Sequence, residues 1–121
     1  MKYITTITGK IDITGVPKLN KLQIRNYLEE IYPVSEIGSI FSDDELNFDE
    51  EWDSFDRSEK FLIIMWKISK QVLKETRGLI MCSGEREGDI WGIIIKDNRL
   101  FTQRYELKAE GDAQEYEKVR F

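Results

Sequence analysis

The chain has 121 residues, 40% apolar, 12% aromatic and 34% charged, which is enough for one domain with a real core. Eighteen Lys and Arg against 23 Asp and Glu give a net charge of −5, which argues against direct, sequence-independent binding of nucleic acid through its phosphates. With no His and a single Cys, the composition excludes a Ser-His-Asp triad, a Cys-His dyad, a His-ligated zinc, a Cys-cluster metal site and an internal disulfide. Residues 2–13 alternate as a strand, with Tyr3, Thr5, Ile7, Gly9, Ile11 and Ile13 on one face. Gly9 interrupts that face and marks a bulge or a close backbone approach. Thr14-Gly15-Val16-Pro17 is a turn signal. A helix is predicted from Lys18 to Ile31, with Leu19, Leu22, Tyr27, Leu28 and Ile31 as its apolar face, stopped before Pro33.

Val34 to Phe41 reads as a short strand or a loop, and Gly38 weakens the strand. In residues 42–55, Leu46, Phe48, Glu50 and Trp52 alternate, which fits a short edge strand. A second helix follows, opened by Asp56 and Glu59 in a capping-box arrangement. Its run Phe61-Leu62-Ile63-Ile64-Met65-Trp66 is apolar all round, Trp66 included in the expected core. Lys67, Lys70, Lys74 and Arg77 gather toward its end, and Gly78 is the expected stop.

Three strands then form a meander: Leu79–Ser83, Asp89–Lys96 and Arg99–Leu107. Ile90-Trp91-Gly92-Ile93-Ile94-Ile95 is apolar on both faces, as in a central strand. Asp97-Asn98 is a two-residue hairpin signal, since both residues tolerate positive φ. The tail 108–121 is mostly polar and either adds an end strand or frays. The predicted fold is α+β: one domain over residues 1–121, a mostly antiparallel sheet made of the N-terminal strand and the C-terminal meander, and two helices on one face.

Charge is concentrated in one place. Between Asp43 and Glu59 there are nine carboxylates and one base, Arg57, so this segment carries −8 and the other residues +3. A block of one sign steers a partner of the other. Its carboxylates are interleaved with aromatics, the composition of an interface hot spot. On this reading Asp43, Asp44, Glu45, Phe48, Asp49, Glu50, Glu51, Trp52, Asp53 and Phe55 meet a basic protein surface, the carboxylates standing in for phosphates. On the competing reading, the segment is a solvated connection whose aromatics dock on the domain's own core. A hard-cation site at Asp49, Glu50, Glu51 and Asp53 is the third reading, but the EF-hand pattern is absent and no Gly lies between Asp43 and Glu59.

Gly84-Glu85-Arg86-Glu87-Gly88-Asp89 gathers three carboxylates near Lys96 and Asp97, which raises a two-metal nuclease; the alternative is a polar turn. Ile94 stands where such a nuclease carries an acid two residues before its Lys. There is no Gly-rich phosphate loop. No catalytic residue and no cofactor are therefore assigned. Trp91, Arg99 and Tyr105, with Trp66, form an alternative pocket for a nucleotide-like ligand; the competing reading makes Trp66 and Trp91 simply core. Cys82 is expected to be a small buried hydrophobe.

Two phrases resemble a group of small uncharacterised proteins found in tailed bacteriophages and actinobacteria. The first is G-Y-H-T-x-x-T-G-x-I-x-I, matched by Tyr3, Thr5, Thr8, Gly9, Ile11 and Ile13, with Lys2 and Ile4 in place of Gly and His. The second is G-E-E-x-G-D-I-W-x-I-x-V-x-D-G-R, matched by Gly84, Glu85, Glu87, Gly88, Asp89, Ile90, Trp91, Ile93, Asp97 and Arg99, with Arg86 and Asn98 departing. The resemblance implies a phage or prophage origin and the closing meander, and brings no catalytic residue with it.

The start, Met1 to Thr6, lacks the apolar stretch of a signal peptide, and no apolar run reaches the length of a membrane span. The expectation is a cytoplasmic, non-enzymatic binding protein, away from membranes. It would inhibit or sequester a host protein of defence or nucleic-acid handling. An immunity protein against a basic toxin has the same surface chemistry.

Overall fold

A computed structural model describes residues 4–53, 55–86, 88–106, 111 and 112, with the side chains of residues 53 and 55–58 left aside. In chain order the elements are β1 (Ile4–Asp12), α1 (Lys18–Glu29), α2 (Val34–Ile40), β2 (Glu45–Asp53), α3 (Phe55–Ser69), β3 (Gly78–Gly84), β4 (Ile90–Lys96) and β5 (Arg99–Tyr105). The five strands form one antiparallel sheet in the order β2-β1-β3-β4-β5. The fold is α+β, with the N-terminal strand and the C-terminal meander in one sheet as expected. Two features extend the prediction. The acidic segment supplies a full nine-residue strand, and the described residues hold three helices rather than two.

The third helix is α2, where a strand or loop was expected. Pro33, held at φ −60°, sets its start, and Ile37 and Ile40 at helical spacing bury its inner side. Gly38 meets nothing within 4 Å, so it sits on the solvent side and costs only propensity. In α1 the buried residues are Ile24 and Leu28, whereas Leu19 and Leu22 of the predicted apolar face point to solvent. The second predicted helix, α3, ends at Ser69 rather than near Gly78, which instead opens β3. Asn98 explains the stop. Its Nδ2 donates to the carbonyl oxygens of Ser69 (3.0 Å) and Val72 (2.8 Å), taking up groups a continuing helix would use itself.

The helices cover one face of the sheet, and the core lies between them. It joins Ile7 and Ile11 of β1, Leu46, Phe48 and Trp52 of β2, Ile80 and Cys82 of β3, and Ile93 and Ile95 of β4 to the buried sides of α1, α2 and α3. Gly9 is a close approach rather than a bulge: a Cβ there would lie 2.4 Å from the Leu79 carbonyl oxygen and 2.7 Å from the Ile80 Cα. Asp97 and Asn98, at φ 53° and 57°, make the predicted two-residue hairpin turn. Leu107 and nearly all of the tail fall outside the described residues.

Candidate functional site

Alternation along β2 decides what the acidic segment offers. Leu46, Phe48, Glu50 and Trp52 face the helices, and Glu45, Asn47, Asp49 and Glu51 face away. Phe48 and Trp52 are only 1% and 3% exposed. Both rings pack edge-on against Phe61 of α3, with centroids 5.4 Å and 4.4 Å apart. They anchor the strand to its own helix layer, as the competing reading expected of the aromatics, and their burial corrects their place among the surface residues expected to meet a partner. Phe55 and Asp53 fall where side chains are not described.

Glu50 is set apart from the other carboxylates. It shares the inner face with the aromatics and is half-buried. Its Oε1 accepts hydrogen bonds from the Tyr32 hydroxyl and from Trp52 Nε1, the latter at 2.8 Å. That is how a carboxylate is tolerated beside a core: the oxygen turned toward the aromatics accepts two hydrogen bonds.

Among the described carboxylates of residues 43–52, those left to the surface are Asp43 and Asp44 of the turn before β2, and Glu45, Asp49 and Glu51 on its outer side. Outer residues recur every ~6.8 Å along a strand, so Glu45, Asp49 and Glu51 form a column on one edge of the sheet. Lys10 of β1 reaches Glu45 at 3.8 Å. Among the described residues, no cluster of three or more metal-ligand side chains is found.

The alternative pocket does not assemble. Trp91 faces the helices, while Arg99 and Tyr105 face the opposite side of the sheet. What lies beside Trp91 is a groove of about 340 Å³ lined by Leu62, Trp91, Thr102, Gln103 and Arg104. Arg104 is already paired there with Asp89, at 3.1 Å. Trp66, expected in the core, is 52% exposed on α3, with Lys70 Nζ 5.6 Å from its ring centre. Cys82 is buried, as expected. Burial, and then the charge of Asp89, pushes its thiol up to about 12, which disfavours the thiolate. The nuclease arrangement is excluded by distance. Asp89 precedes β4 and Lys96 ends it, so seven extended residues, ~24 Å, separate them.

The face away from the helices is the feature that sequence reading missed. Leu79, Ile94 and Phe101 align across β3, β4 and β5, and Lys10 and Asn47 complete their row on β1 and β2. Leu79 is 47% and Phe101 41% exposed. One row toward the other end of the sheet, Tyr105 lies over Gly92, whose absent Cβ would meet its ring at 2.9 Å. The signal was present in β4, apolar on both faces. Among the described residues, only one of those faces is covered.

Comparisons with protein-family models, with curated proteins and with solved structures gave no match. No helix among the described residues is long and apolar enough to cross a membrane.

Proposed function

We propose that the chain is a binding protein that holds a basic protein surface against the outer side of β2. The observation that carries this reading is the column Glu45, Asp49 and Glu51, continued by Asp43 and Asp44. A rigid strand presents these charges at fixed spacing, and its aromatics lock it to the helix layer from behind. Fixed like charges steer a complementary partner and suppress wrong ones. A host protein that handles nucleic acid has such a basic surface, so occupying it would inhibit or sequester that protein. The same chemistry serves an immunity protein facing a basic toxin, and a phage origin fits either role.

The test is kinetic. A partner captured on the immobilised protein should associate more slowly as salt rises, because screening shortens the reach of the column. Reversing Asp49 and Glu51 to Lys should slow association by about tenfold or more, with a smaller change in dissociation. An association rate indifferent to both salt and reversal contradicts the reading.

The groove beside Trp91 supports a second reading, a small aromatic ligand stacked on that ring. Absorbance near 260 nm in the purified protein, lost in Trp91→Ala, would favour it.

A further inference from the structure

The sheet face that no described residue covers carries an inference of its own, independent of any foreign partner. We infer that two copies of this chain pack these faces together about a two-fold axis running along β3.

Two face-to-face arrangements keep the strands aligned. An axis across the strands would lay β2 on β2 and set Glu45, Asp49 and Glu51 against their own copies. An axis along β3 instead lays β2 of one copy over β5 of the other, and β1 over β4. The charges select the second arrangement. At one end of the sheet, β1 and β2 present the register pair Asp12 and Glu45, while β4 and β5 present Lys96 and Arg99. The axis along β3 brings each acidic pair over the partner's basic pair, twice per dimer.

Shape agrees with charge. The exposed Phe101 stands out on the β5 side, in the same row as Asn47. Over β2, β1 and β3 lies a shallow depression of about 580 Å³, bordered by Asn47, Asp49, Lys10 and Leu79. The same rotation carries Phe101 of each copy over the depression of the other. Leu79, on the central strand, then lies near the axis against its own copy. Polar residues at the rim and apolar ones at the centre are the usual anatomy of an interface.

The size of the face sets the strength. Five strands and seven residues span ~24 Å by ~24 Å, so two copies would cover ~1,100 Å², near the lower bound for a specific interface. The dimer is therefore a weak, reversible one. It also covers the acidic column, so a basic partner and the second copy compete for one face.

The experiment uses purified protein alone, so its outcome is separate from that of the proposed function. Sedimentation velocity over a concentration series should show a species of 14.3 kDa passing to one of twice that mass. Leu79→Asp places two carboxylates at the axis and should leave only the monomer. Arg99→Glu and Glu45→Arg should each weaken the dimer about tenfold, and an equimolar mixture of the two should restore a mixed dimer. Circular dichroism and urea midpoints establish that each variant is folded. A monomer at every concentration overturns the inference. So does a dimer unaffected by Leu79→Asp, a mixture that fails to associate, or growth into larger assemblies, which a closed two-fold forbids.

Discussion

Phe61→Ala is the most informative substitution in the core. Phe61 is fully buried and is the ring that Phe48 and Trp52 both meet edge-on. Burying a Phe side chain stabilises by ~1.5–3 kcal/mol, and an aromatic pair adds ~0.5–1.5 kcal/mol. Removing the ring also leaves a cavity, and Phe→Ala at such sites costs ~3–5 kcal/mol in total. A domain of this size is stable by ~6–18 kcal/mol, so the variant should fold with a much lower urea midpoint and an unchanged slope. The loss should fall unevenly. β2 is an edge strand, paired on one side by β1, and depends on Phe61 to hold its inner face. Amide exchange should therefore accelerate first in Leu46–Trp52, ahead of β3 and β4. Trp66→Ala, one turn and a half further along α3 and half-exposed, should stay within ~0.5 kcal/mol of wild type. A loss below ~1 kcal/mol for Phe61→Ala, or exchange that rises equally in all strands, would refute the claim that this ring anchors the acidic strand.

Other expectations follow from single contacts. Gly9→Ala must push β1 from the backbone of β3, and should destabilise by more than the ~1–3 kcal/mol typical of overpacking, read from urea midpoints. Asn98→Gly keeps the positive φ but leaves the Ser69 and Val72 carbonyls without their donor, at a cost of ~1–3 kcal/mol by thermal melts. Hydrogen bonds from the Thr14 side chain and backbone amide hold the Asp12 carboxyl below its usual 3.8. A depressed carboxyl adds stability above its unfolded value that is lost as pH falls through the folded one, so Thr14→Val should raise the Asp12 titration seen by NMR. Cys82, buried with its thiol near 12, should react with a thiol reagent only as fast as the sheet opens, and urea below the transition should accelerate the labelling.

The strands and their order along the chain were readable because alternation is strict where one face is buried. Ile7 and Ile11 in β1, and the Asp97-Asn98 turn, needed no tertiary information. Where the sequence misled, a neighbour outweighed the local pattern. In α1 the leucines at 19 and 22 look like core, but Ile24 takes that role beside Leu28, which is buried as expected. α2 is short enough that its apolar spacing fits a strand as well as a helix. Trp66 sits in an unbroken apolar run, and only the position of the sheet shows that its side of α3 is bare. In the acidic segment the alternation of Leu46, Phe48 and Trp52 separates inner aromatics from outer carboxylates, whereas composition groups them as one surface.

The account turns on whether the outer side of β2 binds or merely carries charge. Capture from a bacterial lysate separates the two, with three immobilised proteins compared at equal loading. These are the wild type, a variant with Glu45, Asp49 and Glu51 changed to Lys, and a charge-matched control with Glu29, Glu36 and Glu75 changed to Lys. The control residues are exposed and lie outside β2. The account predicts one salt-eluted protein held by the wild type and the control, and absent from the β2 variant. Equal retention by all three, or equal loss from both variants, would contradict it, because net charge and not this surface would then govern what is bound.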